Sequence, residues 1–117
     1  MIDVPMELVL DWHQTGSTVI CDPPVTDTDI DFVIYTDCLH EMLDTLKEKG
    51  YNICGDAEYK GEGMFTAVRK GLYNYILTGD EIVYLRYEAA MLLAQKRNLL
   101  VKEARVVLFD KIIKGNE

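Results

Sequence analysis

The chain has 117 residues, of which 49% are hydrophobic and 27% charged, and its formal net charge at pH 7 is −8. This length and apolar content predict one globular domain over residues 1–117, with a single core. No apolar run approaches the ~20 residues of a membrane-spanning helix, and the N-terminus lacks the basic and apolar segments of a signal peptide. We therefore expect a cytoplasmic protein that does not associate with membranes.

Charge is distributed unevenly along the chain. Residues 1–46 contain ten acidic residues and no Lys or Arg, whereas residues 47–117 contain twelve basic and ten acidic residues. Such a negative field disfavours non-specific nucleic-acid binding, because it repels phosphate backbones, and it suits a metal ion or a basic protein partner. The three cysteines are an odd number without C-x-x-C spacing, so we expect free thiols.

The first predicted elements are a strand and a helix. The segment DFVIYT (31–36) is an apolar, β-branched and aromatic run typical of an interior strand. Asp37 is a candidate N-cap for a helix whose apolar residues recur at helical spacing: Leu39, Met42, Leu43 and Leu46. This helix should stop at Gly50, and YNIC (51–54) is predicted to be a short strand. A polar, glycine-rich connector follows at 55–63.

A hairpin and two helices are predicted in the second half. MFTAVRK (64–70) and LYNYILT (72–78) are strand-like runs joined around Gly71. Thr78 and Glu81 fit a capping box that opens a long helix. The residues expected to share its buried face are Ile82, Leu85, Ala89, Leu92 and Leu93. In the last helix they are Val101, Ala104, Leu108 and Ile112. Together these elements predict an α/β (α+β) domain, with a small mixed β-sheet backed by helices.

Three aspartates occupy alternate positions at the start of the first predicted strand: Asp27, Asp29 and Asp31. In a strand, the side chains of Asp29 and Asp31 point the same way, about 7 Å apart along the chain. A divalent cation removes their repulsion and gains oxygen ligands, so Mg²⁺ (or Mn²⁺) is the natural candidate. A calcium loop fails because Phe32 and Cys38 stand where it needs Gly and Glu. A solvated acidic turn is the open alternative.

A Gly-Ser pair lies upstream of these carboxylates. TGS (15–17) is followed, after an eleven-residue spacer, by DIDF (29–32). This arrangement resembles the motif of the nucleotidyltransferase superfamily, which includes DNA polymerase β. The resemblance implies that Gly16 and Ser17 hold a nucleoside triphosphate through backbone amides and a hydroxyl. It also implies that Asp29 and Asp31 are catalytic carboxylates and metal ligands.

The likeness extends to short nucleotidyltransferase-like proteins that are common in bacteriophage genomes. In these proteins the Gly-Ser and acidic segment is followed by an R-K-G element, a T-G-D element and a C-terminal helical pair. Here the elements are GSTVICDPPVTDTDIDF (16–32), VRKGLYNYILTGD (68–80) and AQKRNLLVKEARVVLF (94–109). The resemblance implies a minimal nucleotidyltransferase fold with a C-terminal helical pair and, for a phage protein, a location in the host cytoplasm.

Two positions depart from the superfamily pattern. The third carboxylate of the superfamily lies on a later strand, and the matching segment here has Asn74, a neutral and weaker ligand, at that catalytic position. Thr18 stands where many relatives place an Arg for phosphate, a task for which Arg69 and Lys70 are candidates. An ordinary hydrogen-bonded Asn74 and a solvated Lys70 are the alternatives. The carboxylates that could replace the third ligand are Asp80, Glu58 and Glu62.

Three functional hypotheses follow. The first is a Mg²⁺-dependent nucleotidyltransferase that transfers a nucleoside monophosphate from a nucleoside triphosphate to a hydroxyl of a protein, nucleic acid or small molecule. The second is a catalytically weak or inactive relative that binds nucleotide or a protein partner, consistent with Asn74. The third is an acidic inhibitor whose N-terminal segment imitates DNA phosphates.

Overall fold

A computed structural model describes residues 4–16, 30–55 and 65–114 of the chain. The strands and α-helices of this part are β1 (Asp11–Thr15), β2 (Ile30–Tyr35), α1 (Leu39–Glu48), β3 (Asn52–Gly55), β4 (Thr66–Lys70), β5 (Tyr73–Thr78), α2 (Glu81–Lys96) and α3 (Lys102–Lys114). A 3₁₀ turn at Met6–Leu8 precedes β1. None of these helices combines the length and the apolar character needed to cross a lipid bilayer.

The five strands form one mixed sheet in the order β1-β2-β5-β4-β3. Strands β2 and β5 run parallel, and the other neighbouring pairs run antiparallel. The predicted interior strand is confirmed as β2, and the predicted hairpin is confirmed as β4 and β5, with Gly71 at a φ of 61° in its turn. The mixed α+β class predicted from the sequence is therefore confirmed. Strand β1 was missed, since DWHQT has no apolar alternation.

Each face of the sheet packs against a different set of helices. On one face, α1 contributes to a cluster whose buried members include Phe32, Ile34, Met42, Leu46, Val68, Tyr75 and Leu77. On the other, α2 and α3 contribute to a cluster that includes Val33, Phe65, Ile76, Tyr84, Tyr87, Phe109 and Ile113. Because successive strand residues point to opposite faces, even-numbered residues of β2 lie toward α1 and odd-numbered ones toward α2.

Both predicted helix starts are wrong in detail. The N-cap of α1 is Cys38 and not Asp37, and no side chain caps this helix, although the Thr36 hydroxyl accepts a hydrogen bond from the Cys38 N–H at 3.0 Å. The N-cap of α2 is Asp80, whose Oδ1 accepts from the Val83 N–H at 3.1 Å. The predicted Thr78–Glu81 capping box therefore does not form, because α2 begins two residues later than that box requires.

The predicted buried face of α2 is wrong, and that of α3 is correct only in part: Leu108 and Ile112 pack against the core, whereas Val101 and Ala104 are exposed. The residues of α2 that are buried are Val83, Tyr84, Tyr87, Ala90, Met91 and Ala94. In α3 the buried positions are Arg105, Phe109 and Ile113. Both helices carry apolar residues on more than one side, and the larger aromatic side chains fill the space above the sheet. Arg105 tolerates burial because its Nη1 donates to the carbonyls of Leu99 and Leu100, at 2.9 and 3.0 Å.

Candidate functional site

One transverse row of the sheet is polar on all five strands. Strand register places the following residues side by side on the face toward α2: Thr15, Asp31, Asn74, Arg69 and Asn52. We call these residues the polar row. The adjacent row on the same face is apolar on its central strands, with Val33 opposite Ile76. The polar row therefore lies where the apolar core ends, and a ligand there would contact polar side chains without entering the core.

Asp31 and Asn74 are linked at the centre of the polar row. They are register partners on the parallel strands β2 and β5, and the Asn74 Nδ2 donates a hydrogen bond to the Asp31 Oδ1 at 3.0 Å. Both side chains are half-buried. An N–H donor to a carboxylate is a charge-assisted contact, so Asn74 holds Asp31 in a defined orientation. The Oδ1 atom of Asn74 is buried and has no hydrogen-bond partner among the described residues.

Gly16 closes the site on the side of β1. This residue follows the last residue of β1 and has a φ of 86°, which L-amino acids rarely adopt and achiral glycine adopts readily. A Cβ at this position would overlap the Asp31 Oδ2 atom. Gly16 is therefore required both by the backbone turn and by the close approach of the Asp31 carboxylate. Two parts of the sequence motif, separated by fifteen positions, meet at this contact.

Several predicted site residues lie outside the described part of the chain. They are Ser17 and Asp29 of the motif, and Glu58 and Glu62 as possible replacements for the third carboxylate; Asp27 and Thr18, to which no site role was assigned, also lie outside it. Their proposed tasks, triphosphate binding for Ser17 and metal binding for Asp29, remain predictions from the sequence. Asp80, the other candidate for a third carboxylate, caps α2 at the end of β5 remote from Asn74.

The two candidate phosphate-binding residues lie on opposite faces of the sheet. Arg69 belongs to the polar row, directly opposite Asn74 on β4, and its side chain is exposed. Lys70 points to the α1 face because strand side chains alternate. There its Nζ donates to the Lys49 carbonyl at 2.8 Å and lies 5.7 Å from the centroid of the Tyr51 ring. The fold thus brings Arg69, and not Lys70, to the row that contains Asp31.

Asn52, the outermost member of the polar row, was not among the residues singled out in the sequence. Its position depends on the pairing of β3 with β4, which places it opposite Arg69. Asn52 is a polar residue within the predicted YNIC strand (51–54), but its place beside Arg69 could be recognised only once the strand register was known.

His13 lies on the same face as the polar row, one register step into the core. It is 8% exposed, and its ring packs edge-on against Tyr84, with ring centroids 5.2 Å apart. Burial lowers its pKa from 6.5 to about 4, against the smaller opposing effect of the Asp11 charge. The imidazole is therefore neutral at pH 7, and its 3.9 Å approach to Glu88 is not an ion pair at that pH. His13 is therefore a buried structural residue.

The donors of the site are hard oxygen atoms. Within residues 4–16, 30–55 and 65–114, no three or more His, Cys, Asp and Glu side chains gather closely enough to hold a metal ion. Asp31 and the buried Asn74 carbonyl oxygen are nevertheless oxygen donors of the kind that Mg²⁺ prefers, and Asp29 is two residues away along the chain. Their oxygen atoms suit Mg²⁺ chemically, and the magnesium site itself remains a prediction from the sequence.

Comparison with known proteins supports the fold. No protein-family model matches the chain, and no curated protein sequence matches it either. The chain is similar to the crystal structure of the conserved protein GrpB from Enterococcus faecalis, with a TM-score of 0.51 and 16% sequence identity, over 93% of this chain and 83% of the GrpB chain. At this identity the likeness shows the fold alone: the chain and GrpB share a mixed α+β fold, built here from a five-stranded mixed sheet and three helices.

Proposed function

We propose that the chain is a Mg²⁺-dependent nucleotidyltransferase that transfers a nucleoside monophosphate from a nucleoside triphosphate to a hydroxyl acceptor, with release of pyrophosphate. The observation that carries this proposal is the contact of Gly16, Asp31 and Asn74 in one place on a nucleotidyltransferase-like sheet. Gly16 and Asp31 come from the two halves of the sequence motif, and Asn74 stands on the strand where the third carboxylate is expected.

The residues of the site take separate tasks in this proposal. Gly16 allows the backbone to approach the triphosphate closely, and Ser17 adds a hydroxyl donor. Asp29 and Asp31 hold the metal ion, which neutralises charge on the phosphate oxygens. Arg69, exposed at one side of the polar row, is suited to balance the charge of the triphosphate.

Asn74 serves mainly to position Asp31. Its amide donates to one Asp31 oxygen and so favours an orientation in which the other oxygen, Oδ2, faces Gly16. A neutral amide cannot accept the proton of an attacking hydroxyl as a carboxylate can. The hydroxyl must then lose its proton to Asp29 or to solvent, and we expect slow transfer.

A catalytically weak relative that binds nucleotide or a protein partner is the second candidate function. The Asn74–Asp31 hydrogen bond favours it, since an amide occupies the place of the third carboxylate. Imitation of DNA by the acidic segment is less well supported. Asp31 is half-buried and hydrogen-bonded within the sheet, whereas a phosphate mimic needs its carboxylates on an exposed, convex surface.

Nucleotidyl transfer can be tested with α-labelled nucleoside triphosphates, Mg²⁺ or Mn²⁺, and a cell lysate as the source of acceptors. Labelled product and pyrophosphate release should appear with the wild-type chain and fall at least tenfold in Asp31→Asn and Asp29→Asn. Asp44→Asn is the matched control, because Asp44 is 58% exposed on α1, away from the polar row. Equal labelling by Asp31→Asn and the wild type would refute the assignment of the site.

Calorimetry separates the two candidate functions. Wild-type protein titrated with a nucleoside triphosphate and Mg²⁺ should bind, and Asp31→Asn should bind more weakly. Binding without any labelled product would select the catalytically weak relative. Absence of binding for all four common nucleoside triphosphates with either metal would exclude the enzyme and a nucleotide-binding relative, and would leave only a relative that binds a protein partner.

A further inference from the structure

Helix α2 leaves an apolar stripe in solvent on the side opposite its buried face. Ile82, Leu85 and Leu92 are 61%, 50% and 54% exposed, and Ala89 between them is also exposed. Their spacing of three, four and three residues places these four side chains along one line of the helix. We call them the α2 stripe. Since the other side of α2 already supplies the core, the α2 stripe is not needed to fold the chain.

The spacing of the α2 stripe fits pairing with an antiparallel copy of itself. Side chains three and four residues apart are the seam positions of a two-helix coiled coil. In an antiparallel pair, Ile82 faces Leu92 of the second copy and Leu85 faces its Ala89, so every member of the stripe is covered. The small Ala89 side chain lets the two helices approach closely beside each Leu85.

Charge at the two ends of α2 also favours the antiparallel arrangement. Asp80 and Glu81 stand at its N-terminus, and Lys96 and Arg97 at its C-terminus. An antiparallel second copy places acidic ends beside basic ends and opposes the helix dipoles, whereas a parallel copy would bring like charges together.

The charged residues beside the stripe lie toward their own fold. Arg86 Nη1 donates to the Ile113 carbonyl of α3 at 3.4 Å. The Glu88 carboxylate lies 3.9 Å from the His13 ring, on the sheet side of the helix. In the antiparallel pair Arg86 would lie near Arg86 of the second copy, and Glu88 near its Glu88. The hydrogen bond of Arg86 to Ile113 and the position of Glu88 on the sheet side of the helix keep these like charges away from the interface.

We propose that the α2 stripe is a homodimer interface, with an antiparallel second copy of this chain as its occupant. Its three large side chains expose a few hundred Å² per copy, about the size of the largest apolar patch of an ordinary monomer. Such an interface is smaller than the ~1,200 Å² at which standard stable interfaces begin, so we expect a weak dimer that dissociates on dilution.

Sedimentation equilibrium of the full chain, from micromolar to submillimolar concentration, tests the homodimer. The wild type should change from monomer to dimer in this range, and Leu85→Glu should weaken the dimer at least tenfold. Leu72→Glu is the matched control, because Leu72 is 53% exposed in the β4–β5 turn and should leave the dimer unchanged. A wild type that stays monomeric at every concentration, or a dimer that Leu85→Glu does not weaken, would overturn the proposal.

A charge exchange tests the antiparallel direction. Glu81→Lys and Lys96→Glu should each weaken the dimer several-fold, since each places like charges at both ends of the pair. The double variant should restore it, because the exchanged charges are again opposite across the interface. Failure of the double variant to restore a dimer that both single variants weaken would overturn the antiparallel arrangement.

Discussion

Lowering the pH from 8 to 5 should destabilise the protein through His13. The ring of this residue is buried between β1 and α2, and neither of its nitrogen atoms has a hydrogen-bond partner among the described residues. The charged groups that face it are Asp11 on its own strand and Glu88 on α2. Burial outweighs the Asp11 charge and lowers the His13 pKa from 6.5 to about 4.

The size of this effect follows from the two pKa values. Between pH 6.5 and about 4 the unfolded chain binds a proton at His13 that the folded chain does not bind, so the free energy of unfolding falls as the pH falls. This loss of unfolding free energy is absent well above pH 6.5, the His13 pKa in the unfolded chain. It is complete well below the His13 pKa of about 4 in the folded chain, where it reaches about 3 kcal/mol. Of this, about 2 kcal/mol is lost between pH 8 and pH 5.

Urea denaturation followed by circular dichroism at pH 8 and pH 5 measures this loss. The His13→Gln variant should lose about 2 kcal/mol less than the wild type between these pH values, because its side chain does not titrate. The control is His40→Gln, since the His40 side chain is 91% exposed and its variant should behave as the wild type does. If His13→Gln and the wild type show the same pH dependence, the reasoning from burial is refuted.

Three further predictions concern the backbone and the site. Gly16→Ala should lower the free energy of unfolding by more than about 2 kcal/mol, because of its positive φ and because the new Cβ overlaps the Asp31 carboxylate. Gly71→Ala is the control: its Cβ would meet nothing within 4 Å, so it should lower the free energy of unfolding by only about 1 kcal/mol in the same urea titration. Equal losses for the two variants would contradict the overlap at Gly16. Asp80→Ala should lower the free energy of unfolding by about 1 kcal/mol, because the variant loses the N-cap of α2. Thermal denaturation measures this loss, and an unchanged melting temperature would contradict the capping role of Asp80. Asn74→Asp should raise metal-dependent label transfer about tenfold, because it restores a carboxylate at the third position. It should also lower stability without Mg²⁺, because the new carboxylate would lie against that of Asp31. A reduced transfer rate would contradict the assignment of Asn74 to the position of the third carboxylate.

Local patterns in the sequence were sufficient for most elements. The β-branched and aromatic run of β2 and the Gly71 hairpin both form as predicted, because their signals arise from residues close together in the chain. The helix starts were placed one and two residues early, since Asp37 and Thr78 compete with Cys38 and Asp80 as caps. Strand β1 gave no such signal and forms because β2 offers it an edge to pair with.

The candidate site was predictable in its motif and not in its contacts. Gly16 and Asp31 could be paired by spacing, and Asn74 by its place on a later strand, but the hydrogen bond between Asp31 and Asn74 joins residues 43 positions apart. Only strand register decides that Arg69 joins this row while Lys70 lies on the opposite face.

Local sequence pattern is enough to predict α2 as a long helix with apolar residues at helical spacing, but which of these residues are buried depends on tertiary packing. Tyr84 and Tyr87 occupy the space above the sheet, and Leu85 and Leu92 remain in solvent. Helical periodicity cannot distinguish two apolar faces of one helix. The face that becomes buried is the one whose side chains fill the space between the sheet and the helices.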